Sequence, residues 1–126
     1  MPTDHPPMAA AFQEPGSATI EDFERLDLRV GRVLEASPLE GARRPAYRLR
    51  IDFGAAGQRQ SSAQLRKTYP DPTVLVGRMV VAVVNFPPRH VAGFRSEVLV
   101  LGALAPDGEV PLLGVDAGAF PGQRIG

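Results

Sequence analysis

The sequence predicts an all-β fold: a closed or nearly closed Greek-key barrel with a short N-terminal helix and one short internal helix. Three observations predict it. Apolar and polar residues alternate with period two from Tyr47 to Phe53. About six short runs of strand character follow one another, separated by glycine- and proline-containing breaks. Only two stretches carry helix-start signatures, too few for a parallel α/β sheet.

Residues 1–18 hold Pro2, Pro6, Pro7, Pro15 and Gly16 with little periodicity and read as a flexible tail ahead of one folded domain, 19–126. Thr19 with Asp22 is a carboxylate variant of the capping box. Ile20, Phe23 and Leu26 give the helix that follows one apolar face, too short to stand alone, so it must dock on the barrel or on a second subunit. Leu28 to Ala36 reads as a strand, with Gly31 marking a bulge or sharp bend. Ser37 to Pro45 is a polar loop. The strand Tyr47 to Phe53 presents Tyr47, Leu49, Ile51 and Phe53 on one face and Arg48, Arg50 and Asp52 on the other. Arg59 to Ser62 returns as a short polar strand. Ser61 and Gln64 form a second capping-box pattern, predicting a short helix that stops before Tyr69–Pro70. Met79 to Phe86 is a dense β-branched run ended by Pro87–Pro88. Val98 to Leu104, a hairpin signal at Asp107–Gly108 and a return strand Val110 to Val115 complete the chain.

Composition narrows the function classes. The chain has 126 residues and no cysteine, so its core holds without disulfides, which suits a cytoplasmic location. No secretory leader and no apolar stretch of about 20 residues is present, so no membrane span is expected. The net charge is zero, but the charges are segregated. From Arg29 to Arg95 there are twelve bases and four acids, a balance of +8, while both flanks are acidic. A basic middle suits a polyanion partner.

Catalysis has little to stand on. His5 and His90 are far apart, no His/Cys cluster suggests a metal or cofactor, and no phosphate-binding or nucleophile motif occurs. Asp52 is expected to offset Arg48 or Arg50 rather than to pair with Glu97 as acid and base, and His90 is expected on a surface loop. Three clusters suit binding instead. The first is Arg43, Arg44, Arg48 and Arg50, a loop-plus-strand basic stripe. The second is Arg59, Gln60, Ser61, Ser62, Arg66 and Lys67, where a helix N-terminus beside cations would receive phosphate. The third is the run Asn85 to Glu97, a rigid loop joining two apolar strands, in which Phe86 and Phe94 with Arg89 and Arg95 could stack on and neutralise a nucleic-acid loop, or in which the two phenylalanines could plug the barrel mouth.

The third cluster carries a specific signal. Asn85, Pro88, Arg89, Gly93, Ser96 and Leu101 stand at the spacing of a stretch in the tRNA-binding OB-fold domains appended to methionyl- and phenylalanyl-tRNA synthetases. With Asn85-Phe86-Pro87-Pro88, Ser61-Ser62-Ala63-Gln64 and Ser96-Glu97-Val98-Leu99-Val100-Leu101-Gly102, the chain most resembles the CsaA-type subfamily, described as secretion-related chaperones. The resemblance spans roughly Ile20 to Ile125, nearly the whole folded part, so no synthetase catalytic domain is expected. It implies an OB barrel, a homodimer, and affinity for tRNA or other structured RNA or for unfolded preproteins. It places Asn85, Arg89, Gly93, Ser96 and Glu97 in the shared motif and Gln60, Ser61 and Ser62 in the third-strand segment. For a polypeptide ligand, Phe86, Pro87 and Phe94 would supply the apolar surface. The segment Glu40 to Tyr47 lacks the His-Pro-containing sequence usual in the tRNA-binding domains, and Val98 replaces their usual Gly-Met, departures that favour the chaperone-like branch.

Because the first eighteen residues lack core periodicity, deleting them is expected to leave the melting temperature within a few degrees of the full chain; a larger drop in calorimetry would show that they pack on the domain.

Overall fold

The computed structural model describes residues 16–126; the tail expected over residues 1–18 lies mostly outside them. Thr19 caps α1 (Ile20–Glu24) as expected. Its hydroxyl accepts from the Asp22 amide (3.1 Å), and the Asp22 carboxylate accepts from the Thr19 amide (2.9 Å). Seven strands follow: β1 (Leu28–Pro38), β2 (Tyr47–Asp52), β3 (Gln58–Ala63), β4 (Met79–Val83), β5 (Arg89–Val91), β6 (Phe94–Ser96) and β7 (Leu99–Val100). Five of them form an antiparallel sheet in the order β3-β2-β1-β4-β7, and β5 and β6 form a separate hairpin. The all-β barrel stands.

The long strand β1 organises the sheet. Its first half pairs with β4 (Val30↔Val81) and its second half with β2 (Ala36↔Leu49). The edge that β2 leaves open is taken by residues 122–125: the Val30 amide donates to the Gln123 carbonyl (2.9 Å) and the Ile125 amide to the Leu28 carbonyl (2.9 Å). Here the end of β2 and the C-terminal segment abut, at Gly54 and Gly122. Both have positive φ, and a Cβ on either would overlap a carbonyl of the other segment. Of the bulge or sharp bend expected at Gly31, the bulge is absent there: Gly31 pairs regularly with Val80, and the register shift falls between Val33 and Glu35. Gly31 serves close packing instead. The Ile51 and Phe53 side chains lie over it, where a Cβ would come within 2.7 Å of Phe53.

The core is the barrel interior: Val33, Tyr47, Leu49, Ile51, Phe53, Leu65, Leu75, Val80, Ala82 and Val98. The dense apolar run of β4 is explained by burial on both faces. Val80 and Ala82 point into the barrel, whereas Val81 and Val83 join Leu28 in a second cluster outside it.

Closure of the barrel rests on residues 94–100, whose first half lies along the free edge of β3 and whose second half pairs with β4. The bonds to β3 are made partly by side chains. The Gln60 amide donates to the Glu97 carboxylate (3.0 Å), the Glu97 amide to the Gln60 carbonyl (2.9 Å), and the Ser62 amide to the Ser96 hydroxyl (3.0 Å). The Ser61 hydroxyl, fully buried, lies 2.9 Å from the Val98 carbonyl.

This corrects the internal helix expected from Ser61 and Gln64. Ser61 belongs to β3, its hydroxyl is spent on closure, and only one helical turn follows, with the Tyr69 amide on the Leu65 carbonyl (2.8 Å). The internal helical pieces are 3-10 turns at Gly54–Ala56 and Pro72–Leu75, the second capped by Asp71, whose carboxyl is held below its usual value by hydrogen bonds from the Thr73 hydroxyl and amide. The expected strand Val98 to Leu104 is regular only over Leu99–Val100. Its partner is a single bridge, Gly102↔Leu112, because Pro111 has no amide to donate. The Asp107–Gly108 turn forms, with Ala105 bonded to Glu109. Among the described residues no helix is long and apolar enough to cross a membrane.

Replacing Ser96 by Ala removes the acceptor of the Ser62 amide at a buried position. The expected cost is roughly 1–3 kcal/mol, read as a lower urea midpoint at unchanged slope; an unmoved midpoint would mean that closure does not depend on this hydroxyl.

Candidate nucleic-acid interface

The alternation of β2 sends Arg48 and Arg50 to the barrel's outer face, as expected. Register places Arg48 beside Ser37 and Ser62, and Arg50 beside Glu35 and Gln60. The Arg48 Nε donates to the Ser37 hydroxyl (3.2 Å), and the Arg50 Nε lies 3.7 Å from the Glu35 carboxylate. Glu35 is thus the counter-ion expected of Asp52, whose carboxylate instead accepts from the Gly54 amide (2.9 Å). Phe94, with Arg48, Arg50, Ser37, Glu35 and Gln60, lines a groove of about 250 Å³.

The second cluster does not assemble. Without a helix at Ser61 there is no helix N-terminus to receive phosphate. Arg59 turns back to the Ala56 carbonyl (3.3 Å) at one end of β3. Beyond the other end, Arg66 stands over the Tyr47 ring, 6.0 Å from its centre, and Lys67 donates to the Asp107 carbonyl. Gln60 holds β6 through its side-chain amide, which donates to the Arg95 carbonyl (2.8 Å).

The motif residues divide between scaffold and surface. Asn85 is a strut: its side-chain oxygen accepts from the Asp27 amide (2.9 Å) and its nitrogen donates to the Arg25 carbonyl (2.8 Å), tying the end of β4 to the junction of α1 and β1. Ser96 and Glu97 close the barrel, and Glu97 also lies 3.6 Å from Arg95. Between them the chain forms the β5–β6 hairpin, so His90 stands on a strand rather than on the surface loop expected there. Its two turn residues, Ala92 (φ 51°) and Gly93 (φ 78°), both have positive φ, the geometry of a two-residue hairpin turn. The hairpin separates the two phenylalanines expected to serve one nucleic-acid loop or to plug the barrel mouth, and Phe86 is 43% exposed. Phe94 lines the groove on the β2 face, while Phe86 borders an apolar groove elsewhere.

The hairpin also makes a site that the sequence did not disclose. It faces the loop after β1, with the Gly41 backbone packed near Ala92. Between them lies a cleft of about 680 Å³. Arg43 and Arg44 contribute from the loop, and Arg89 and His90 from β5. Leu65, Leu99 and Val110 are among its apolar lining residues, and among the described residues no carboxylate lines it. Among the described residues none of the three arginines has a carboxylate within 4 Å. Recognising β5 as a strand from its Ala-Gly turn would have been the signal that brings Arg89 to Arg43 and Arg44.

Away from this cleft, an apolar groove of about 630 Å³ opens over the outer face of β4. It is lined by Phe23 and Leu26 from α1's end of the chain, Val81 and Val83 from β4, and Leu101 and Ile125. The helix covers it only partly, leaving Ile20 67% and Phe23 40% exposed.

The family model described as "Putative tRNA binding domain" matches residues 28–124. The chain is 42% identical over 110 residues to a methionine–tRNA ligase of Neisseria meningitidis, covering 86% of this chain and 16% of that protein. It thus spans about one-sixth of the length of the curated relatives it matches. Among solved structures it is similar to the chaperone CsaA of Bacillus anthracis, with 51% identity, a TM-score of 0.83, and coverage of 88% of this chain and 100% of the other. The methionyl-tRNA-synthetase-related protein of Pyrococcus horikoshii aligns with a TM-score of 0.78 at 25% identity, over 87% of this chain and 98% of the other. A barrel closed through Ser96 and Glu97, bearing the Asn85-to-Leu101 motif and aligned from β1 to the last paired residues, belongs to the tRNA-binding domain family.

Proposed function

We propose that this domain is a non-enzymatic RNA-binding module of the cytoplasm with tRNA as its principal ligand. The observation that carries this reading is the cleft, which Arg43, Arg44 and Arg89 line with no carboxylate among the described residues. A concave surface of one sign concentrates its field and favours a polyanion, and guanidinium groups match phosphate with a planar fork. Arg48 and Arg50 extend the basic surface, moderated by Glu35. Ser62 lies in the cleft lining, Arg66, Lys67, Arg95 and Gln60 contribute at the margins of this surface, and Arg59 stands apart at the far end of β3, while Asn85, Ser96 and Glu97 act by holding the hairpin that carries Arg89.

A second reading, a holdase that binds unfolded preproteins during export, is favoured by the apolar groove over β4 and by the likeness to CsaA chaperones. That face also supports a homodimer, since a second copy would cover Phe23, Leu26 and the outer side of β4.

The two ligands respond differently to salt. Neutralising phosphates releases counterions, so log affinity falls with log salt by roughly 0.7 per contact for unpaired strands. The three cleft arginines alone give a slope of about −2, and with Arg48 and Arg50 engaged it steepens to about −3.5. R89A is expected to make the slope shallower by about 0.7, with an unchanged circular dichroism spectrum. Apolar capture of a polypeptide responds weakly to salt. Absence of tRNA binding at low salt, with unfolded polypeptide bound equally at low and high salt, would replace the RNA reading by the chaperone one.

The dimer is checked by light scattering at micromolar concentration: twice the chain mass of 13.5 kDa is expected for the native protein and a single chain mass for Phe23→Asp. A single chain mass for the native protein contradicts it.

A further inference from the structure

The two walls of the cleft are anchored unequally. The loop after β1 is closed at its base, where the Leu39 amide donates to the Ala46 carbonyl (3.0 Å) and both residues are buried. The β5–β6 hairpin is held at its two feet. At one, the Asn85 side chain bonds to Asp27 and Arg25; at the other, the Gln60 side-chain amide donates to the Arg95 carbonyl. Among the described residues no hydrogen bond joins residues 86–94 to the barrel, and none of residues 86–95 is buried. An element with few buried contacts and few anchoring bonds lies at the low-stability end of a fold.

The walls touch at their tips. Ala92 occupies the hairpin's turn and Gly41 a turn of the loop (φ 85°), and a Cβ on Gly41 would stand 3.7 Å from that of Ala92. Ala92, at φ 51°, is the one non-glycine among the described residues in the left-handed region. Glycine takes that conformation without a steric penalty. What alanine adds there is the methyl group that meets Gly41. Strained backbone of this kind collects at binding sites and switches.

We infer that the hairpin is a hinged arm over the cleft, turning about its feet at Asn85 and Arg95, with the Ala92 methyl on Gly41 as its latch. Contacts between a few carbon atoms are individually weak, so the latched and released positions are both populated. Latched, the joined tips bridge the cleft, and a continuous polymer cannot be laid into it from the side. Released, the arm lets the polymer in, and its return sets Arg89 opposite Arg43 and Arg44. The hinge stands on the packing alone; its role in admitting a polymer rests on the RNA reading above.

The chain has no cysteine, so Gly41→Cys with Ala92→Cys introduces a single thiol pair. The Cβ separation of 3.7 Å suits a disulfide, for which roughly 3.5–4.5 Å is usual. Any side chain at Gly41 is strained by its φ, so the reduced form of the same variant is the reference. Amide nitrogen relaxation is expected to show motion over residues 86–94 beyond that of β1 and β4 in the native and reduced proteins, and to lose it on oxidation. A tRNA is expected to associate with the oxidised form about tenfold more slowly or worse, since binding that requires a conformational change is slowed, and reductant restores the rate. Ala92→Gly removes the methyl without new strain and keeps the test valid if the cysteine pair misfolds. It is expected to increase the motion and to speed tRNA association. A hairpin as rigid as β1 in the native protein, or motion unchanged in Ala92→Gly, overturns the hinge and its latch. Motion as expected with tRNA association unaffected by oxidation overturns the gating role. Absence of tRNA binding to the native and reduced proteins removes the RNA reading, and the relaxation result still decides the hinge.

Discussion

The amides of Gln60 and Ser62 point away from β2, along the free edge of β3, and need acceptors. A regular eighth strand would supply backbone carbonyls. This chain supplies the Glu97 carboxylate and the Ser96 hydroxyl. Most of the molecule depends on that substitution. It fixes residues 94–100 across the gap between β3 and β4, so the sheet becomes a barrel and Ser61, Val98 and Leu49 become interior. It also lets the chain before Ser96 leave the wall as a hairpin rather than continue within it. The hairpin then stands opposite the loop after β1, and the basic cleft exists because the two are opposed.

The charge pattern acquires a different meaning in three dimensions. Along the sequence the basic middle is a uniform excess. In the fold its members have distinct partners: Arg29 pairs with Asp27, Arg50 with Glu35 and Arg95 with Glu97, while Arg78 stacks over Tyr69 at 5.3 Å. Arg43, Arg44 and Arg89 are left facing one depression. A count of cations would rank the β2 stripe and the cleft alike, but the carboxylate beside one and not the other separates them.

The barrel was legible in the sequence because its strands announce themselves by period, most plainly Tyr47 to Asp52, and because Thr19 and Asp22 cap α1 in the expected geometry. What was not legible depends on partners distant in sequence. Ser61 has the local signature of a helix cap, and only the approach of Val98 makes it a strand residue. Gly31 reads as a bulge until the rings of Phe53 and the branch of Ile51 are placed over it. The hairpin at Arg89 to Ser96 was hidden by Ala92, which takes the left-handed backbone that Asn or Gly usually signals. For the site, the residue types were found and their grouping was not: Asn85, Ser96 and Glu97 carry a recognisable motif because they build the scaffold, and Arg89 faces the ligand side because of them.

The abutment of Gly54 and Gly122 along one edge of β1 has a kinetic consequence. The strand that organises the sheet is synthesised well before residues 122–125, which complete part of its edge. Arg29 and Arg124, paired in the fold, lie nearly a whole domain apart in sequence. Such topology folds slowly, because the long loop must close before the contact rewards it. During synthesis the Val30 amide and the Leu28 carbonyl wait without their final partners beside an apolar strand, a template on which another nascent chain can pair. Arrival of residues 122–125 ends that interval, and the glycine at each side of the seam lets the two backbones meet.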